Sequence, residues 1–167
     1  MHEHVFFANW GEESKRARSI AYAREELGKL AACGAHTLVD VGPAPARNMS
    51  WYVELAPQVD LNIILSTGFY LESATPPEMR QWDEERYIER FTGELREGIG
   101  GAAIRAALIK VAANKAQLSP WEIKVFRAAA RVQRQTGVPI CTHACEGARS
   151  QFRSEEHTSE LQSPECI

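Results

Sequence analysis

Residues 107–143 read ALIKVAANKAQLSPWEIKVFRAAARVQRQTGVPICTH, and this stretch decides the fold. Ala107-Leu-Ile-Lys-Val111 is an apolar run of strand length. Ser119-Pro-Trp-Glu122 is a helix start, with Ser at the N-cap, Pro at the first helical position and Glu three residues on. The helix is expected to run to Thr136 and stop at Gly137, handing over to a second strand, Pro139-Ile-Cys-Thr-His143. A strand, a helix-length crossover and another strand make one βα unit of a parallel sheet.

The same alternation extends towards the N-terminus. Ser14 to Ala32 reads as a helix, because Ile20, Ala23, Leu27 and Leu30 share a face and Gly34 can end it. His36-Thr-Leu-Val-Asp-Val41 reads as a buried strand closed by Gly42-Pro43, and a short helix follows around Asn48 to Leu55. Leu61-Asn-Ile-Ile-Leu65 is the next strand and leads into Ser66-Thr-Gly-Phe-Tyr70. Pro76 and Pro77 open a helical region that continues from about Asp83 to Glu97, with Ile88, Phe91 and Leu95 on its apolar face. Arg86, Glu89 and Arg90 are expected on the solvated face of that helix, and the tryptophans in the core. The order is that of an α/β protein: a partial TIM-type (β/α)8 barrel, roughly its first five βα units.

Composition excludes several classes. The chain has 167 residues, 44% hydrophobic and 25% charged, which is ordinary for a globular domain. A net charge of −3 offers no basic patch for nucleic acid and no attraction to an anionic membrane. No run of about eighteen apolar residues exists, so no membrane span is expected. Cys33, Cys141, Cys145 and Cys166 are too sparse for a disulfide framework, and a reducing cytoplasmic setting is the default.

Residues 153–163, Arg-Ser-Glu-Glu-His-Thr-Ser-Glu-Leu-Gln-Ser, break the apolar periodicity and resemble a translated sequencing adapter. The folded domain is therefore expected over residues 1–152, with 153–167 a non-native tail. His157 and Cys166 are set aside for any metal argument.

Four residues carry the chemistry. His2 and His4, two apart, lie on one face of an extended strand, so both imidazoles can converge on one point. Lys110 and His143 each sit in their own apolar run and can reach that point from neighbouring strands. Taken singly, each has a bland reading: a polar N-terminal scrap, a solvated lysine or a Schiff-base nucleophile, a hydrogen-bonded structural histidine. Cys141, His143 and Cys145 alternate and form a rival thiolate site. Three ligands at two-residue spacing on one strand do not surround an ion tetrahedrally, so Cys141 is expected to pack as a small apolar residue.

As a set with their surroundings, these residues resemble the phosphotriesterase-related branch of the amidohydrolase superfamily, which includes phosphotriesterase-like lactonases. The resemblance rests on His2-Glu-His-Val-Phe, Thr37-Leu-Val-Asp40, Ser66-Thr-Gly-Phe-Tyr70, Gly98-Ile-Gly-Gly101, Ile109-Lys-Val-Ala112, Arg127-Ala-Ala-Ala-Arg131 and Gly137-Val-Pro-Ile-Cys-Thr-His143. It implies a metal-dependent hydrolase of ester, lactone or phosphotriester bonds. His2, His4, Lys110 and His143 would be metal ligands, with zinc the expected metal. Lys110, carboxylated by carbon dioxide, would be the carbamate bridge between two divalent ions about 3.5–4 Å apart, and a hydroxide shared by the ions would be the nucleophile. Tyr70 matches an aromatic residue that contacts substrate in lactonase-like members. Arg47 matches a loop arginine, although Ala44-Pro-Ala46 replaces the glycine-rich approach usual there.

In the family a further histidine comes from the sixth strand and an aspartate from the eighth, and neither has a counterpart here. The strand carrying His2 and His4 should precede them, yet only Met1 does, so the chain is expected to be cut at both ends and inactive alone. The resemblance implies a small-molecule substrate and a homodimeric parent enzyme. A Schiff-base lyase or aldolase using Lys110 is one rival, and a non-catalytic metal-binding remnant is another.

Overall fold

The computed structural model describes residues 2–6, 13–42, 47–114 and 117–144, so the predicted tail and Cys145 lie outside the described residues. Five parallel strands form one sheet in the order of the sequence: β1 (His2–Glu3), β2 (Thr37–Asp40), β3 (Asn62–Gly68), β4 (Leu108–Ala113) and β5 (Ile140–Ala144). Helices occupy the crossovers: α1 (Arg16–Ala32), α2 (Met49–Leu55), α3 (Pro77–Arg80), α4 (Glu84–Arg96) and α5 (Pro120–Thr136). Successive strands side by side, each joined by a helix, are consecutive units of a (β/α)8 barrel.

Local chemistry sets these boundaries. Asn48 accepts from the Ser50 N–H to start α2, and Asp83 accepts from the Arg86 N–H to start α4. Asp83 splits the predicted helical region 76–97 into α3 and α4, because its extended backbone interrupts the helix to serve as a cap. Ser119 and Glu122 form the predicted capping box, and Gly137 ends α5 in the left-handed conformation at φ 74°.

One sequence expectation is corrected at the N-terminus. His2 and Glu3 are themselves a strand, paired with Val39 and Asp40, and His4 lies just beyond its end.

Among the described residues three apolar clusters build the body. One packs α4 and α5 on β4 through Phe69, Tyr87, Phe91, Trp121, Val125 and Ile109. Another packs α1 and α2 on β2 and β3 through Ile20, Leu27, Leu38, Trp51, Tyr52 and Leu65. The third is small: Val41, Leu108 and Cys141, with Val39 and Ile64 against them. Cys141 packs there as the sequence predicts.

Arg90 corrects another expectation. Its side chain is only 22% exposed, ion-pairs with the buried Glu94 at 2.9 Å and lies over the rings of Phe69 and Trp82. Glu94 also accepts a 2.6 Å hydrogen bond from Thr67 of β3. The reason is that the buried Thr67 hydroxyl needs a partner, and the carboxylate that reaches it needs a cation.

Candidate metal centre

Strand register ties the predicted ligand positions to one face of the sheet. Paired residues of parallel strands share a face, and alternate residues along a strand return to it. His2 pairs with Val39, and Val39 with Ile64. Ile64, Ser66 and Gly68 alternate along β3, Gly68 pairs with Lys110, and Lys110 with Cys141. His143 follows Cys141 by two. Strand positions 2, 110 and 143 therefore have the same parity, over the apolar floor of Val39, Val41, Ile64, Leu108 and Cys141.

Lys110 is 1% exposed, and its Nζ lies 3.8 Å from the Cys141 Sγ. Removing an ammonium from water this completely is costly unless the surroundings compensate the charge. Gly68 permits the close approach of β3 and β4 at this level. It sits at φ +112°, and a Cβ there would lie 1.9 Å from the Lys110 carbonyl oxygen. The Phe69 N–H donates to that same oxygen at 2.9 Å.

His143 is half-buried, and its ring stands edge-on to Tyr70 with centroids 5.3 Å apart. Burial, and then the charge of Lys110, push its pKa below the ordinary 6.5. At neutral pH His143 is thus the neutral imidazole that a metal requires. Lys110, His143 and Tyr70 are brought together.

His4 sits at the other side, against β2. Its Nδ1 lies 3.9 Å from Oδ1 of Asp40. Asp40 is completely buried and accepts hydrogen bonds from the Gly42 N–H at 2.7 Å, the Val5 N–H at 3.0 Å and the Tyr52 hydroxyl at 2.6 Å. Burial and the Asp40 charge hold the Tyr52 hydroxyl protonated, well above the ordinary tyrosine range. Arg47 fastens the loop after β2 to β3. It donates to the Gly42 carbonyl, and at 2.7 Å to the Ser66 carbonyl, while its guanidinium lies 5.7 Å from the centre of the Tyr52 ring.

Among the described residues no three His, Cys, Asp or Glu side chains gather closely enough to hold a metal. Lysine is not among those donor types, and the side chain at position 2 lies outside the described residues. In chemical kind the donors fit a divalent ion: a neutral imidazole nitrogen at His143, a lysine on the same face of the sheet, and a second imidazole at His4 beside the Asp40 carboxylate. Asp40 and Gly68 were not singled out as site residues from the sequence. The signal was a carboxylate ending an apolar strand, and a glycine directly before an aromatic pair.

The profile of the phosphotriesterase family matches residues 1–159. The chain belongs to the phosphotriesterase family. A phosphotriesterase homology protein of Mycobacterium tuberculosis is 32% identical over 167 residues, covering 89% of this chain and 50% of that protein. A solved structure from work engineering organophosphate hydrolysis out of a weak promiscuous lactonase template superimposes with a TM-score of 0.82 at 35% identity. It covers 98% of this chain and 55% of that one. A substituted Deinococcus radiodurans PTE-like lactonase gives 0.81 at 35% identity, over 97% and 54%. The chain spans about half the length of these family members, and its fold is the corresponding part of their barrel.

Proposed function

We propose that this chain carries the first metal-holding half of a hydrolase acting on lactones, esters or phosphotriesters. One observation carries the reading: strand register gives positions 2, 110 and 143 a common parity, with a wholly buried lysine between two histidine-bearing strands. The family's own members point to the substrate class, since the similar structures are described as a lactonase and a template for organophosphate hydrolysis.

His2, His4, Lys110 and His143 would hold two divalent ions, with zinc favoured by the imidazole donors and Lys110 serving as a carbamate. When bound, the ions would make water a stronger nucleophile and polarise the bond under attack. The remaining roles belong to the chain. His143 presents a neutral nitrogen because burial and Lys110 disfavour its protonation. Tyr70, edge-on to His143, presents its ring where a substrate would approach. The apolar layer beneath Lys110 excludes water from below.

The test is zinc binding by the full chain in bicarbonate buffer, followed by assays with an aryl ester, a lactone and a phosphotriester. The reading expects zinc uptake that Lys110→Met and His143→Gln abolish, with little turnover from the chain alone. Absence of zinc uptake would overturn it. Trapping of a carbonyl substrate on Lys110 by borohydride would replace it with Schiff-base chemistry.

A further inference from the structure

Asp40 is a carboxylate at the end of the strand Thr37-Leu-Val-Asp40, and it is completely buried. A charge is kept at such depth only where hydrogen bonds replace water. Among the described residues two of its three donors are backbone N–H groups, and one of these belongs to Val5, the residue directly after His4. The third, Tyr52, belongs to α2, so the carboxylate joins the segment just after β1 to β2 and α2 at one point. The Gly42 position keeps that point open: a Cβ there would lie 2.8 Å from Asp40 Oδ1 and 3.6 Å from His4 Nδ1. A positive charge nearby is Arg47, which lies against Tyr52 and donates to the Gly42 carbonyl.

We infer that Asp40 is a positioning residue for His4. Its carboxylate anchors the backbone beyond His4 through Val5 and faces the imidazole at Nδ1, which leaves Nε2 as the edge offered to a metal. At 3.9 Å the contact is electrostatic, longer than a hydrogen bond. A negative charge on that side favours the tautomer with its proton on Nδ1. Carboxylates behind metal-binding imidazoles act in this way, and their loss typically weakens metal binding about 10–100-fold. The inference rests on the metal-centre reading, which supplies the reason for orienting His4.

The experiment uses the full chain, labelled with 15N at histidine and free of metal, with the His4 tautomer read by NMR where the ring is neutral. The unsubstituted chain should show His4 mainly protonated on Nδ1. Asp40→Asn should shift it towards the Nε2–H form, whereas Tyr52→Phe, which also removes a hydrogen bond to Asp40 but keeps the carboxylate, should not. A second arm measures zinc affinity by competition with a chromogenic chelator. Asp40→Asn should weaken zinc about 10–100-fold in the parent chain and leave it nearly unchanged in a His4→Gln background. A merely structural role would cost both backgrounds alike and would overturn the inference. So would a His4 found mainly as the Nε2–H form in the unsubstituted chain, a result that needs no variant to fold. If the unsubstituted chain takes up no zinc, the metal-centre reading falls, and the tautomer measurement still decides the role of Asp40.

Discussion

At the scale of single residues, His143 and Gly68 give the sharpest expectations. The folded-state pKa of His143 is lowered, first by burial and then by Lys110. Between the folded and unfolded values the unfolded chain binds the extra proton, so stability rises with pH there. His143 therefore contributes stability that is present above about 6.5, the ordinary histidine value, and is lost as pH falls through its folded value. An NMR titration should place its midpoint below 6.5, and Lys110→Met should raise it part of the way, since burial remains. A midpoint at or above 6.5 would contradict this account. Gly68→Ala introduces both a strained φ and a Cβ inside the Lys110 carbonyl. It should destabilise the chain by roughly 2–3 kcal/mol in a denaturant titration. A variant as stable as the parent would show that β3 and β4 separate easily at this point.

At the scale of elements, α5 is held at its start by one residue in two ways. Ser119 accepts from the Glu122 N–H and donates its hydroxyl to Glu72 at 2.7 Å, tying the helix to the segment after β3. Ser119→Ala should cost about 1–2 kcal/mol in chemical unfolding, at the upper end for a lost cap because a second hydrogen bond goes with it. A loss of only a few tenths would mean that water replaces both bonds. This helix was legible in the sequence down to its cap and its terminal glycine, because capping is a local matter of a few neighbouring residues. The α3–α4 region was less so: the periodicity of Ile88, Phe91 and Leu95 was visible, but not the interruption before Asp83. The burial of Arg90 escapes local periodicity for a related reason. Nothing near it in sequence reveals that Thr67, on a distant strand, needs the carboxylate that Arg90 neutralises.

At the scale of the whole molecule, the sheet has β1 and β5 at its two edges. Among the described residues β5 has no strand beyond it, and β1 spans only two residues. Exposed strand edges recruit further strands. Sedimentation of the full chain should accordingly show concentration-dependent association, whereas a monomer at every concentration would mean that something else covers the β5 edge. The sequence by itself determined the alternation of strands and helices, the family, and the candidate residues His2, His4, Lys110, His143 and Tyr70. The alternation rests on spacing along the chain, which fixes which face of its own segment a residue occupies, while the family and these candidate residues rest on the matching segments quoted from residue 2 to residue 143. Only the tertiary structure decided which residues meet across segments. Asp40 stands behind His4, Gly68 lets β3 close on Lys110, and Tyr70 lies against His143. Those contacts follow from the register between strands that lie far apart in the chain, and local periodicity carries no record of that register.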